Sequence, residues 1–323
     1  MTLKISIVIA TRNRSRSLNV LFHSVLCQTI LPDEVIVVDD SDDNETLRLV
    51  KAKRDVFFKK GIMLRYLRGK DNNRNSSCAR NIGTAASTGD IVFSFDDDIV
   101  IDRQYIKEIL TTYEEYPAAK GVQGYIVNGG TIADTKCLLL NSVNKVFFMD
   151  HFEKSKCFYK LGLTYPYSPE GVIQCNYLHG TNTTLKKEIA SSFSYDEKLV
   201  RRSIGEDIDL SFRVFKRYPN SLFLNSKAKL SHLSTTKTNK LAVFLDSFYF
   251  VYLFFKNYDQ TIVNKLTFVW SMLGRLFVNT CKLIFISKDF NLAFCTVKSY
   301  FYVAKNLQAI KKGDFRFLDP ILH

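Results

Sequence analysis

Lys4-Ile5-Ser6-Ile7-Val8-Ile9-Ala10-Thr11-Arg12-Asn13-Arg14 joins a β-branched apolar run to a polar, basic turn, and this junction decides how the rest of the chain reads. A run of that kind forms a strand buried on both faces. In Ser17 to Gln28, the residues Leu18, Leu21, Phe22, Val25 and Leu26 recur at helical spacing, so one face packs on a sheet. Pro32 breaks the chain, and Glu34-Val35-Ile36-Val37-Val38 reads as a second buried strand ending in Asp39-Asp40-Ser41-Asp42-Asp43. A helix from Glu45 to about Lys59, a short strand Met63 to Leu67, a helix Ser76 to Ala86 and a strand Ile91 to Phe95 continue the alternation. The pattern predicts a parallel α/β sheet.

Ligands of such sheets bind outside the carboxyl ends of the strands. Here those ends carry Thr11-Arg12-Asn13-Arg14, Asp39-Asp40 and Asp96-Asp97-Asp98. Neither G-x-G-x-x-G nor a Walker A sequence follows any strand, which argues against nicotinamide dehydrogenases and P-loop nucleotidases.

The chain has 323 residues, 46% hydrophobic and 24% charged, which excludes disorder and collagen and leaves one large globular domain or two ordinary ones. Its 7 cysteines lack C-x-x-C spacing, so a reduced, cytoplasmic chain is expected, and the short apolar start predicts no secretion signal. A formal net charge of +13 favours nucleic acid, anionic lipid or phosphate-linked substrates without choosing among them.

Three adjacent aspartates at the end of an apolar strand repel one another unless a cation neutralises them. Carboxylate oxygens suit Mg²⁺ or Mn²⁺, with substrate phosphate and water completing the shell. Strand alternation would turn Asp96 and Asp98 one way and Asp97 the other. A solvated turn with helix N-cap residues is the plainer alternative.

Taken together, Ser6 to Arg14, Ser24 to Gln28, Val37 to Ser41, Ala79-Arg80-Asn81, Gly89 to Asp98, Gly180-Thr181-Asn182, Tyr195-Asp196-Glu197, Gly205 to Leu210 and His232 resemble the family 2 glycosyltransferases. The resemblance implies the GT-A fold, a Rossmann-like, mainly parallel α/β sheet flanked by helices. It also implies inverting transfer from a nucleotide-diphosphate sugar. By the same resemblance, Thr11, Arg12, Asn13 and Asp40, with Asp39 close by, hold the nucleoside, and Arg80 lies near the diphosphate. Asp96-Asp97-Asp98 matches the family's D-x-D motif, which places Asp96 and Asp97 among the residues expected to bind the nucleotide sugar. Asp98 is its expected direct metal ligand, with Asp96 and His232 as further ligands of a divalent cation. Asp207 is the expected general base, with Glu206 contacting the acceptor or serving as the alternative base. Asp209 is expected to face solvent or cap its helix, and Asn182 to lie on the acceptor side. Arg201-Arg202-Ser203 is a candidate phosphate clamp, and Gly129 to Pro169, without a helix-strand rhythm, a candidate acceptor loop.

From Leu241 the chain turns aromatic and aliphatic, in Phe244 to Lys256, Leu266 to Val278 and Leu283 to Ile286. Charges interrupt each stretch before the ~18 apolar residues of a spanning helix, which favours amphipathic helices. These either lie on an anionic membrane, pack as a helical appendage or form an oligomer contact. The expected organisation is a catalytic domain over residues 1–238 and a helical region over 239–323. The expected function is sugar transfer, from a UDP- or TDP-sugar by preference, to a glycan or lipid-linked acceptor in surface polysaccharide assembly at the cytoplasmic membrane face. A nucleotide-binding or nucleic-acid-binding protein with a degenerate transferase site is the alternative.

Overall fold

The computed structural model describes residues 3–69, 75–128, 143–144, 146–149, 169–200, 204–233 and 239–321. Arg201-Arg202-Ser203 and nearly all of Gly129 to Pro169 therefore lie outside the described residues. The chain divides into two compact units, one of Met1–Gly130 with Pro166–Thr235, the other of Thr131–Tyr165 with Thr236–His323.

In the first unit, β1 (Ile5–Thr11), β2 (Glu34–Asp39), β3 (Met63–Arg68) and β4 (Ile91–Asp96) run parallel in the order β3-β2-β1-β4. The helices α1 (Ser15–Leu26), α2 (Glu45–Lys59) and α3 (Ser76–Ala86) connect them. β2 is buried at every position, as its continuous apolar run requires when helices cover both faces. Gly83 lets α3 approach closely, since a Cβ there would overlap Val8.

The far half of the sheet is mixed. It contains β5 (Ile99–Ile101), β6 (Gly121–Ile126), β7 (Val172–Cys175), β8 (Asn182–Lys186) and β9 (Leu222–His232). β8 is antiparallel to β4 and β6, β9 is parallel to β6, and β5 and β7 both pair antiparallel with β9. Helices α4 (Tyr105–Glu115), α5 (Lys187–Ser192) and α6 (Glu206–Arg217) complete the unit. The chain thus has a mixed α/β sheet with flanking helices, mainly parallel only in its first half.

Strand register assembles the site. Thr11 pairs with Asp39 and Ala10 with Asp96, so the ends of β1, β2 and β4 share one edge of the sheet. Strand order reverses about β1, where α/β sheets open a crevice.

The second unit is helical, with α7 (Lys240–Asn257), α8 (Ile262–Cys281), a π-helical turn (Lys282–Ile286), α9 (Phe290–Lys305) and α10 (Leu307–Lys311). α7 departs from the expected amphipathic pattern. Ser247 to Phe254 are all buried, because apolar residues surround the helix and neighbours cover it all round. Phe254 stacks on Phe268 with ring centroids 4.0 Å apart, and Arg275 lies 3.5 Å over the Phe250 ring while pairing with Asp246 at 3.0 Å.

Candidate active site

The acidic triplet does not continue as a strand. β4 stops at Asp96, a turn takes Asp97 and Asp98, and β5 starts at Ile99. The expected division still arises, through the turn instead of through strand alternation. Asp97 is buried and accepts from Thr11 Oγ1 at 2.7 Å and Arg14 Nη1 at 3.1 Å. Asp96, Asp98 and His232 instead bring one ligand atom each within 4.8 Å of one another.

His232 is the last residue of β9, and its Nε2 lies 3.0 Å from Asp98 Oδ1. Arg14 donates to the other Asp98 oxygen at 2.8 Å. Burial alone would raise the Asp98 carboxyl, but the His232 hydrogen bond and charge, with Arg14, hold it below the usual range. The Asp98 bond correspondingly raises His232. Asp97 moves the other way, pushed up to about 6 by burial and by Asp98 and Asp96, against the pull of Thr11 and Arg14. Two carboxylates and an imidazole form a donor set that fits Mn²⁺ or Mg²⁺.

Arg80 is fully enclosed and not an exposed helix arginine. It donates to Asp96 at 2.6 Å and to Glu206 at 2.7 Å, with its guanidinium 5.4 Å from the Tyr195 ring centroid. These two carboxylates hold its charge despite burial. Glu206 is raised by burial and by the adjacent Asp207, and Arg80 opposes the rise.

Gly205, at φ 85, takes the left-handed conformation and starts α6, which sets Glu206 and Asp207 in the first turn. Asp207 Oδ2 accepts from Tyr177 Oη at 2.7 Å and the Gly180 amide at 2.9 Å, and Oδ1 from the Ile208 amide at 2.8 Å. Asp209 does not face solvent. It is fully buried and pairs with Arg213 one turn on, because the second acidic step of the helix points inward. Asn182 is buried too, and its amide donates to Gly124 O at 3.1 Å.

Across the sheet edge, Asn13 adopts φ 54, and its Oδ1 accepts from the Asp42 amide. Arg12 donates to Asp42 at 2.9 Å, so the loops after β1 and β2 are tied together. Asp39 has no exposure and accepts from the Ser41 amide and from Tyr66 Oη, which makes it a buried brace. Asp40 is half-buried and raised by burial and by Asp39. Gly69 lies against it, where a Cβ would overlap the Asp40 carboxylate.

The structure thus joins Thr11 to Asp97, Asp96 and Asp98 to His232, and Arg80 to Asp96 and Glu206. It turns Arg12 and Asn13 toward Asp42. Sequence reasoning missed Arg14, Tyr177, His179 and Gly69. Arg14 stood in the quoted motif. His179, lowered by burial and set among the charges of Asp207, Asp96, His232 and Arg80, gave no signal beyond standing next to Gly180.

An acidic turn, a strand-terminal histidine and an acidic helix start beside the ends of a mixed α/β sheet fit a GT-A glycosyltransferase. The chain matches the family model Glycosyl transferase family 2 over residues 6–175. It belongs to the family 2 glycosyltransferases, and the degenerate-site alternative gives way to an enzyme of that class.

A relative from Haloferax volcanii, a glucosyl-dolichyl phosphate glucuronosyltransferase, is 24% identical over 71% of this chain and 69% of its own length. Staphylococcus aureus TarS, solved over residues 1–349 with UDP-GlcNAc, superposes with a TM-score of 0.58 at 13% identity, covering 97% of this chain and 88% of that one. The mannosyltransferase PcManGT from Pyrobaculum calidifontis, solved with GDP-Man and Mn²⁺, gives a TM-score of 0.56 at 13% identity over 94% and 76%. At such identities the solved structures establish the fold.

Proposed function

We propose that the chain transfers a sugar, with inversion, from a nucleotide-diphosphate donor to an acceptor hydroxyl. The observation that carries this reading is Arg80, whose one guanidinium holds both Asp96 of the acidic cluster and Glu206 beside Asp207. Cation ligands and a candidate base therefore share one site. Thr11, Arg12, Asn13 and Asp40 hold the nucleoside, with Asp39 close by and tied to Ser41 and Tyr66. A carboxylate at Asp40 suits the N–H of a uracil or thymine ring, which favours a UDP- or TDP-sugar.

Asp96, Asp98 and His232 hold a divalent cation, which when bound stabilises charge on the departing diphosphate. Arg14 and Thr11 keep Asp97 turned away from that cation. Asp207 takes the proton from the acceptor hydroxyl as its oxygen bonds to the anomeric carbon. The bond from that carbon to the diphosphate breaks, and its electron pair leaves with the nucleotide. Glu206, buried and paired with Arg80, is poorly placed to be this base. Three donors orient the Asp207 carboxylate, which is more open.

The acceptor is a glycan or lipid-linked saccharide, and the enzyme works peripherally at the cytoplasmic membrane face through residues 239–323. Calorimetric titration with UDP, TDP and GDP, each with Mn²⁺ and with excess chelator, tests the reading. Metal-dependent binding of UDP or TDP is expected. No nucleotide binding by a folded sample overturns it.

A further inference from the structure

Among the described residues, the second unit carries large apolar side chains that stay exposed, although Phe147 packs against Trp270 and Phe277 at one end of the face. On α8, Leu266, Leu273 and Phe277 repeat at helical spacing, and on α9 Phe290, Phe294 and Phe301 do the same; all six are 50% to 72% exposed. The two helices touch each other, so the stripes belong to one packed element. The opposite sides are committed to protein. Phe268, Ser271, Met272 and Val278 of α8 and Leu292, Ala293, Thr296 and Ser299 of α9 are buried, and Ser299 bonds Ser247 of α7 at 2.9 Å. Six exposed large apolar side chains on two helices that touch are the kind of surface that marks an interaction site.

Charge decides the occupant. Between Ile262 and Lys305 the chain has Lys265, Arg275, Lys282, Lys288, Lys298 and Lys305 against one acid, Asp289. Arg275 is paired with Asp246, and Asp289 caps α9 by accepting from the Leu292 amide. The five lysines are all exposed. A two-fold dimer through this face would bring together two surfaces of five lysines each, with one Asp289 per copy to offset them. An anionic bilayer accepts both features, apolar side chains below the headgroups and ammonium groups among them.

Contrary to the expectation that charges interrupt every stretch short of a span, Ile262–Ile286 is long and apolar enough to cross a membrane, because α8 and the following π-helical turn run on as one helix past Arg275 and Lys282. Yet its Arg275–Asp246 pair and its buried side fix one flank on protein, which suits a helix lying in the surface.

We infer that the exposed sides of α8 and α9 form a docking face for anionic lipid. This deepens the membrane contact proposed above and rests on it. Flotation of the full chain with vesicles of phosphatidylcholine, and of phosphatidylcholine mixed equally with phosphatidylglycerol, tests it. Binding to the mixed vesicles and little to the neutral ones is expected. Phe294→Asp with Phe301→Asp should weaken partition more than about tenfold. Lys298→Gln with Lys305→Gln should weaken it about fivefold for each lysine removed, and added salt should reproduce the loss.

Equal flotation with both vesicle types, or undiminished flotation of both variants, overturns the inference. So does a concentration-dependent dimer that binds no vesicle, or vesicle-bound protein that resists high salt and alkaline extraction. Calorimetry with UDP and Mn²⁺ on the same samples separates the two readings. Nucleotide binding without flotation sinks the lipid face alone, whereas flotation without nucleotide binding supports it and sinks the donor reading.

Discussion

One buried carboxylate, Glu34, and a group of three, Asp96 to Asp98, sit at opposite ends of the parallel strands, and their chemistry differs. At the start of β2, Glu34 accepts from Ser6 Oγ at 2.7 Å, from the Thr88 amide and hydroxyl at 2.6 and 2.9 Å, and from Arg65 at 2.8 Å. Burial alone would raise Glu34, but these donors together hold it below its ordinary value. At the other end, Asp96, Asp97 and Asp98 crowd together with Arg14 and Arg80 between them and other carboxylates. Asp97 rises to about 6 there, and Glu206 rises beside Asp207. Glu34 has its charge satisfied by neutral and basic donors, whereas the crowded acidic group is where the proposed cation and diphosphate would relieve repulsion.

The largest expected break in this contrast comes from Asp207→Asn. Transfer should fall on the order of 10²–10⁴-fold while nucleotide binding and Tm stay near wild type, read by single-turnover transfer and calorimetry. If Glu206→Gln is instead the crippling change, the base is misassigned. Asp98→Ala should come next, with metal-stimulated transfer down about 10²-fold or more and Mn²⁺ binding lost by spin resonance. Undiminished metal binding in that variant would remove Asp98 as a ligand.

Glu34→Gln should do the converse, costing about 1–3 kcal/mol in denaturant unfolding with transfer per folded molecule unchanged. Its pH signature has a definite sign. A carboxyl with a lowered folded pKa contributes stability that is complete above its unfolded value, near 4.5, and lost as pH falls through the lower folded value. Melting curves below that pH should therefore flatten in the variant relative to wild type. Gly69→Ala should act more gently, displacing Asp40 and weakening UDP binding about tenfold, and unchanged affinity would take Asp40 out of the nucleoside site.

The first half of the fold was legible because buried parallel strands are continuous apolar runs and their helices carry a periodic face. β1 to β4 and α1 to α3 follow the predicted alternation, with ends shifted by one or two residues. The mixed half was harder. β5 is three residues long and β7 four, so neither offers enough periodicity to stand out. Asp209 was misjudged because an acidic first turn reads as solvated, and only its partner Arg213 and the packing of α6 turn it inward. The scattered charges of α7 suggest an amphipathic helix, whereas Asp246 is taken up by Arg275.

Local chemistry determined which residues carry charge at strand ends, where helices begin, and the family to which those ordered motifs belong. Tertiary structure alone decided their partners. The turn at Asp97 aims that carboxylate at Thr11 and Arg14, and β9 delivers His232 to Asp98 across 134 residues. Among the described residues, the apolar side chains on one side of α8 and α9 stay exposed. Periodicity records whether a residue is apolar, but burial depends on which neighbours the fold brings to it, and those lie far away in sequence.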